Sequence, residues 1–510
     1  MSSLDGGARD TGDLAAGAGS DTMTSEVLAA TTAGTVAGAS AGGVRRWLGV
    51  PYAQAERFAP PGPVQPWSGV HPALSMAPQC PQHFGGRRAK PKTQPPAYGE
   101  ACLALNIWAP DAASPAGRPV LFWIHGGAFV AGSANLYDGA ELARRGDMVV
   151  VGINYRLGAL GFVNFGEALG LPAIPSNLGL RDQIAALEWV RDNIAAFGGD
   201  PGRVTIVGES AGSISVSLLM LCRRAWPLFH GAVMQSGAVS LIHSREKSVS
   251  LARRYAERLG LNQDGLETLK TMSLERLLQA QGAIDQEERN GIPAAPWYDG
   301  DLLPASLAEA HAADTAPVPL IAGSTREEIR TFELMPGDVL PRQWPDLEAP
   351  LRRDLPADQA ERILAAYPRT KAGRRAMATD LTFAMPTRNF AERHARAQPT
   401  WVYRFDYASP LLGAAHGLDL AFTWPMGGLL PALIRGGPLT GARAALAGRM
   451  QAHWAHFVRH GRPGEDWPAY TPQTREVHLF DRQDRMVANP DADRFAAWAG
   501  RDVAPRAAAN

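Results

Sequence analysis

Residues 204–212 read Val204-Thr205-Ile206-Val207-Gly208-Glu209-Ser210-Ala211-Gly212. The first four are β-branched and form a buried-strand pattern. Gly-x-Ser-x-Gly follows, and Ser213-Ile214-Ser215-Val216 leads on to Leu218, Leu219 and Leu221, an apolar helix. A serine at such a strand-to-helix turn is held in a strained conformation that only small neighbours tolerate. Its hydroxyl projects above the sheet, and the helix that follows aims its N-terminal dipole at developing negative charge. Gly and Ser are common, so the bare motif says little; the strand before it and the helix after it identify Ser210 as a nucleophile.

Working outward, further apolar runs occur at 120–124, 148–153, 231–234 and 318–322. Such continuous runs suit strands covered on both faces, as in a parallel sheet. Between the second run and the nucleophile strand, Leu180, Ile184, Leu187, Val190, Ile194 and Phe197 recur at three- and four-residue steps. That spacing predicts an amphipathic helix over 178–197, stopped by Gly198-Gly199-Asp200-Pro201. Strands alternating with helices give a doubly wound α/β sheet. Residues 330–400 read as helical and irregular, a cap-like insertion over the sheet. Residues 461–464 close one of the last helices. No repeat or long linker divides the chain, so residues 25–500 are expected to form a single catalytic domain, with residues 501–510 a frayed tail.

Composition narrows the function classes. Of 510 residues, 45% are hydrophobic, enough for a sizeable core. Fifty basic residues balance fifty acidic ones, so no net field favours nucleic acid or an anionic membrane. Arg87, Arg88, Lys90 and Lys92 form a local basic stretch, expected to be a solvated loop. No run approaches the roughly 18 apolar residues of a membrane span. Residues 1–24 are rich in Gly, Ala, Ser and Asp and lack a signal-peptide pattern; they read as a disordered leader, with Met23 an alternative start to Met1. Three cysteines do not make a disulfide scaffold, and a cytoplasmic location is the default expectation.

A nucleophilic serine needs an oxyanion site, a base and an orienting acid. Trp123-Ile124-His125-Gly126-Gly127-Ala128-Phe129 ends one apolar run in glycines, whose backbone N–H groups can approach a substrate oxygen; with the N–H of Ala211 they would form an oxyanion hole. Of the twelve histidines, His416 in Gly413-Ala414-Ala415-His416-Gly417 has the best context, a small-residue loop past a plausible strand at 401–405. His453, His456 and His460 share a helical face, but Trp454, Phe457 and Val458 around them suggest packing rather than metal binding. Glu327 and Glu328 both follow a buried strand and either could orient the base; Asp299 and Asp301 are weaker candidates in a surface turn. Glu209, beside the serine, would add negative potential.

From about residue 45 to 480 the chain resembles the type-B carboxylesterases, the family of para-nitrobenzyl esterases, liver carboxylesterases and cholinesterases. The resemblance is carried by Leu48-Gly49-Val50-Pro51-Tyr52-Ala53, Arg57-Phe58-Ala59-Pro60-Pro61, Cys102-Leu103-Ala104-Leu105-Asn106-Ile107-Trp108, Asn177-Leu178-Gly179-Leu180-Arg181-Asp182-Gln183, Phe197-Gly198-Gly199-Asp200-Pro201 and Gln235-Ser236-Gly237-Ala238. It implies an α/β-hydrolase fold and ester hydrolysis through an acyl-enzyme, with Ser210 as nucleophile, His416 as base and Glu328 as acid. Glu327 stays an alternative because Ile329 stands where the family has Gly. The oxyanion donors map to Gly127, Ala128 and Ala211, while Gly126 shapes the loop. Cys80 and Cys102 match a family disulfide pair, Glu100 resembles the salt-bridge partner of Arg57, and Cys222 reads as a buried apolar residue. No cofactor or metal is implied, and the substrate is expected to be a small neutral ester. The alternatives are an amidase or peptidase on the same fold and a non-catalytic interaction protein.

Overall fold

The apolar runs become the centre of one sheet. The computed structural model describes residues 25–83, 92–93, 97–261, 265–288, 292, 294–335, 340–426, 428–498 and 501–503. The expected leader, Met23, Phe84, Arg87, Arg88, Lys90 and most of the expected tail lie outside the described residues.

The chain opens with β1 (Ser25–Thr31), β2 (Gly34–Ala41), β3 (Val44–Pro51) and β4 (Val70–Pro72). Next come β5 (Ala104–Pro110), β6 (Arg118–Ile124), β7 (Val149–Ile153), β8 (Gly199–Glu209) and β9 (Gly231–Gln235). The last are β10 (Leu320–Thr325), β11 (Thr400–Phe405), β12 (Glu476–Phe480) and β13 (Arg485–Ala488). Among the described residues they join one sheet in the order β1-β2-β3-β5-β7-β6-β8-β9-β10-β11-β12-β13, with β4 paired to β2. From β7 to β12 every neighbour is parallel. The flanks, β1-β2-β3-β5-β7 on one side and β12-β13 on the other, are antiparallel.

Side-chain alternation explains why the central strands are apolar throughout. Along β6, Val120, Phe122 and Ile124 enter one core cluster, with Val204 and Ile206 of β8 and Leu180, Ile184 and Leu187 of helix Leu178–Asn193. Leu121 and Trp123 point the other way, into a second cluster with Leu446, Met450, Trp454 and Phe457 of helix Gly441–His460. With helices on both faces, neither set of positions can be polar at low cost, since each buried Leu, Val or Phe contributes about 1.5–3 kcal/mol.

The expected helix over 178–197 is present, its last turn a 3-10 segment ending at Gly198 in the left-handed region. Its polar positions are also covered: Asp182 receives a two-pronged ion pair from Arg156, and Gln183 donates to Ser215 Oγ at 3.0 Å. Residues 330–400 form successive helices, of which Met385–His394 packs on β10 and β11.

Candidate active site

Four loops meet at the carboxyl edge of the parallel strands, where α/β sheets gather their ligands. They follow β6, β8, β10 and β11.

Ser210 ends β8 and starts helix Ala211–Leu221, with φ 56° and ψ −122°. Its backbone is anchored on both sides: its N–H donates to Gln235 O, and its carbonyl accepts from Ile214 N–H, both at 2.9 Å. Glycine is required at 212, because a Cβ there would lie 2.0 Å from the carbonyl oxygen of Ile124. The turn at Ser210 and the glycine loop after β6 therefore touch through their backbones. Gly127 has φ 114° and Ala128 φ 55°, and the loop turns so that the N–H groups of Val130 and Ala131 donate back to Gly127 O. The N–H groups of Gly127, Ala128 and Ala211 take no acceptor among the described residues.

His416 Nε2 lies 2.8 Å from Ser210 Oγ, and its Nδ1 lies 2.5 Å from Glu328 Oε2. The other oxygen of Glu328 accepts from Ser236 Oγ and from Thr325 N–H, each at 2.6 Å. Glu328 is fully buried. Glu327 points elsewhere, accepting from Ala414 N–H at 3.1 Å and facing Arg330. Glu328 has helical φ and ψ and is followed by helix Ile329–Leu334, so this position needs no glycine and tolerates Ile329.

Three buried carboxylates surround the imidazole. Glu209 Oε1 lies 3.3 Å from His416 Nε2, and Glu328 and Asp419 complete the group. Burial opposes charge on His416, but Glu209, Glu328 and Asp419 outweigh it and raise the imidazole to about 9. Burial lifts the Glu209 carboxyl to about 8; His416 opposes that shift, while Asp419 and Glu328 add to it. Asp419 is itself held above the usual carboxylate range by burial, and it accepts from Gln235 Nε2 and Tyr403 OH, both at 3.0 Å.

The remaining candidates fall outside this cluster. Asp299 orders a turn by accepting from Ser176 Oγ and Asn177 Nδ2, and Asp301 pairs with Arg181 at the surface. His453 and His456 turn Nδ1 to the backbone carbonyls of Pro463 and Arg462. Arg57 and Glu100 form the expected ion pair, at 2.5 Å. Cys80 and Cys102, the expected disulfide pair, lie side by side in the interior, and Cys222 is buried as expected. The Cys80 sulfur accepts from Leu157 N–H at 3.2 Å, and a hydrogen bond to Cys80, with burial, pushes the Cys102 thiol well up.

Reading the residues alone misses Ser236, Asp419, Phe332 and Phe383. Ser236 lies in a quoted stretch, and Asp419 three positions past the histidine is a weak signal. The two phenylalanines, whose rings contact His416, give none.

A parallel sheet with a serine on a strand-to-helix elbow, and with a histidine and a carboxylate brought to it by later loops, defines the α/β-hydrolase class. The chain belongs to the carboxylesterase family, whose model matches residues 25–498. It is 37% identical over 493 residues to the para-nitrobenzyl esterase of Bacillus subtilis, covering 92% of this chain and 98% of that protein. It is 32% identical to liver carboxylesterase 1 of Oryctolagus cuniculus, covering 90% of each chain. A solved para-nitrobenzyl (PNB) esterase structure superposes with a TM-score of 0.83 at 35% identity, over 92% of this chain and 99% of the other. The protein is a serine carboxylic ester hydrolase of the α/β-hydrolase fold. No helix among the described residues is long and apolar enough to cross a membrane.

Proposed function

We propose that this enzyme hydrolyses small neutral carboxylic esters with Ser210 as nucleophile, His416 as general base and Glu328 as the orienting acid. The observation that carries this reading is the unbroken contact chain from Ser210 Oγ through both ring nitrogens of His416 to Glu328 Oε2. His416 takes the serine proton as Oγ attacks the ester carbonyl. The N–H groups of Gly127, Ala128 and Ala211 receive the oxyanion, a contribution of about 3 kcal/mol per donor in comparable sites. The same imidazole then protonates the leaving alcohol and later activates water against the acyl-enzyme. Residues 25–500 act as one catalytic domain, and the low cysteine content, three in 510 residues, is in keeping with a cytoplasmic location.

Only neutral His416 can accept the proton, so kcat/KM should rise with pH as the imidazole deprotonates. The surrounding carboxylates put the midpoint above the ordinary histidine value of about 6.5. Glu209→Gln removes one of these groups and should lower the midpoint. A pH profile of both proteins across the neutral and alkaline range checks this. A midpoint at the ordinary histidine value that Glu209→Gln leaves in place would contradict it.

Choline esters should be poor substrates. In the cholinesterases that this chain resembles, a tryptophan inside the loop at the first cysteine pair holds the quaternary ammonium by cation–π attraction. Residues 81–101 contain no tryptophan here. Trp297 and Trp424, the alternatives elsewhere, are 2% and 3% exposed and belong to the packed interior. Acetylthiocholine and an uncharged thioester of matched size should be compared; faster turnover of the choline compound refutes the neutral-ester reading.

A further inference from the structure

We propose that the π-helical turn Asp380–Ala384 is a clamp for the catalytic base, with Phe383 the positioning residue that fixes the plane of the His416 ring. The inference rests on His416 acting as the base.

Helices Lys371–Thr379 and Met385–His394 are continuous through this turn, in which the N–H of Met385 reaches the carbonyl of Asp380, five residues back. Pro386 gives the cause. It has no N–H for the carbonyl of Thr382 and its ring crowds that carbonyl, so the four-residue ladder cannot run through it. The helix widens instead, and such π-turns are rare and concentrate at functional sites.

The turn is tied down at both ends. The Asp380 carboxylate accepts from Tyr367 OH at 2.7 Å and from Arg494 at 2.8 Å, and Tyr367 OH in turn accepts from Trp498 Nε1 at 2.8 Å. Thr379 Oγ1, just before it, accepts from Ile329 N–H at 3.4 Å. Thr387 Oγ1, just after it, accepts from Gly237 N–H at 3.2 Å. Ile329 follows Glu328, and Gly237 follows the serine that donates to Glu328. The turn is therefore registered against the acid of the site from two sides.

Between these anchors Phe383 stacks on His416, with centroids 4.5 Å apart and planes at 29°. Phe332 touches the same imidazole at 5.1 Å and stacks on Phe383 at 5.7 Å. His416 needs this contact, because its host loop is irregular. Hydrogen bonds at Nδ1 and Nε2 set the position of the two nitrogens. They resist weakly a tipping of the ring out of its own plane, although tipping swings the Nε2 lone pair away from Ser210. A flat face packed on the imidazole opposes that motion. Displacements of about 1 Å at a reacting group can cost about a hundredfold in rate.

The test compares Phe383→Leu, which keeps bulk but loses the flat face, with Phe383→Tyr, which keeps the face. Steady-state kinetics use p-nitrophenyl acetate and p-nitrophenyl butyrate, and thermal melts check each fold. Phe383→Leu should lower kcat about a hundredfold on both esters with KM unchanged, and Phe383→Tyr should restore most of it. Full kcat in Phe383→Leu overturns the proposal, as does a KM rise that grows with acyl length at constant kcat, which marks a substrate wall. Equal losses in the two variants also overturn it. His416→Ala is measured alongside: retained activity there removes the base assignment itself, whatever Phe383 does.

Discussion

Ser210→Ala is expected to lower kcat about a millionfold, to the residual level that oxyanion donors and binding alone sustain. The fold should survive. Alanine loses one oxygen and keeps the Cβ that already tolerates φ 56°, and both backbone bonds at this position are main-chain. The oxygen removed is the one 2.8 Å from His416 Nε2, so nothing is left to form the acyl-enzyme. Turnover of p-nitrophenyl acetate by a variant with an unchanged melting temperature measures this. A neutral organophosphate should also add once to Ser210 of the wild type and not to the variant, as read by peptide mass spectrometry. Substantial activity in the folded variant rejects Ser210 as nucleophile.

The second large effect separates two adjacent carboxylates. Glu328→Gln should lower kcat about ten-thousandfold. Oε1 of Glu328 accepts from both Ser236 and Thr325, so the carbonyl oxygen of a glutamine must stay on that side. Its amide NH2 then replaces Oε2 and presents a donor to Nδ1 of His416. The imidazole proton is forced to Nε2, where the serine proton has to arrive, and the countercharge for the imidazolium is lost. Glu327→Gln should change kcat by no more than about fivefold, because this half-buried residue supports local contacts to Ala414, Arg326 and Arg330 and none to His416 among the described residues. Equal losses, or the larger loss at Glu327, would move the acid by one residue.

That one-residue choice shows where sequence reading stops. Both glutamates follow the same buried strand, and their side chains diverge only because the chain turns into helix Ile329–Leu334 directly after Glu328. One carboxylate is carried inward and the other is left beside the loop at 413–414. The antiparallel flank β1-β2-β3 was equally hard to foresee. Gly34–Ala41 is built from small residues without a continuous apolar run, although Gly42-Gly43 marks the two-residue hairpin that joins it to β3. The cysteine pair is brought together as the resemblance implied, but chain geometry does not decide its oxidation.

The central strands, the helix over 178–197 and the serine on its elbow are legible in the local order of residues. These depend on residues within a few positions of one another, where periodicity and steric demand act through the covalent chain. The convergence at His416 was decided by tertiary structure. Strand order β8-β9-β10-β11 sets the loops after β8, β10 and β11 along one edge, bringing together residues 88 and 206 positions apart. Burial then raises the carboxyls of Glu209 and Asp419, the neighbouring carboxylates raise His416 against its burial, and a π-turn more than thirty residues before His416 supplies the ring that packs on it. Desolvation and through-space charge depend on which segments the sheet packs together, and no local stretch of residues carries that information.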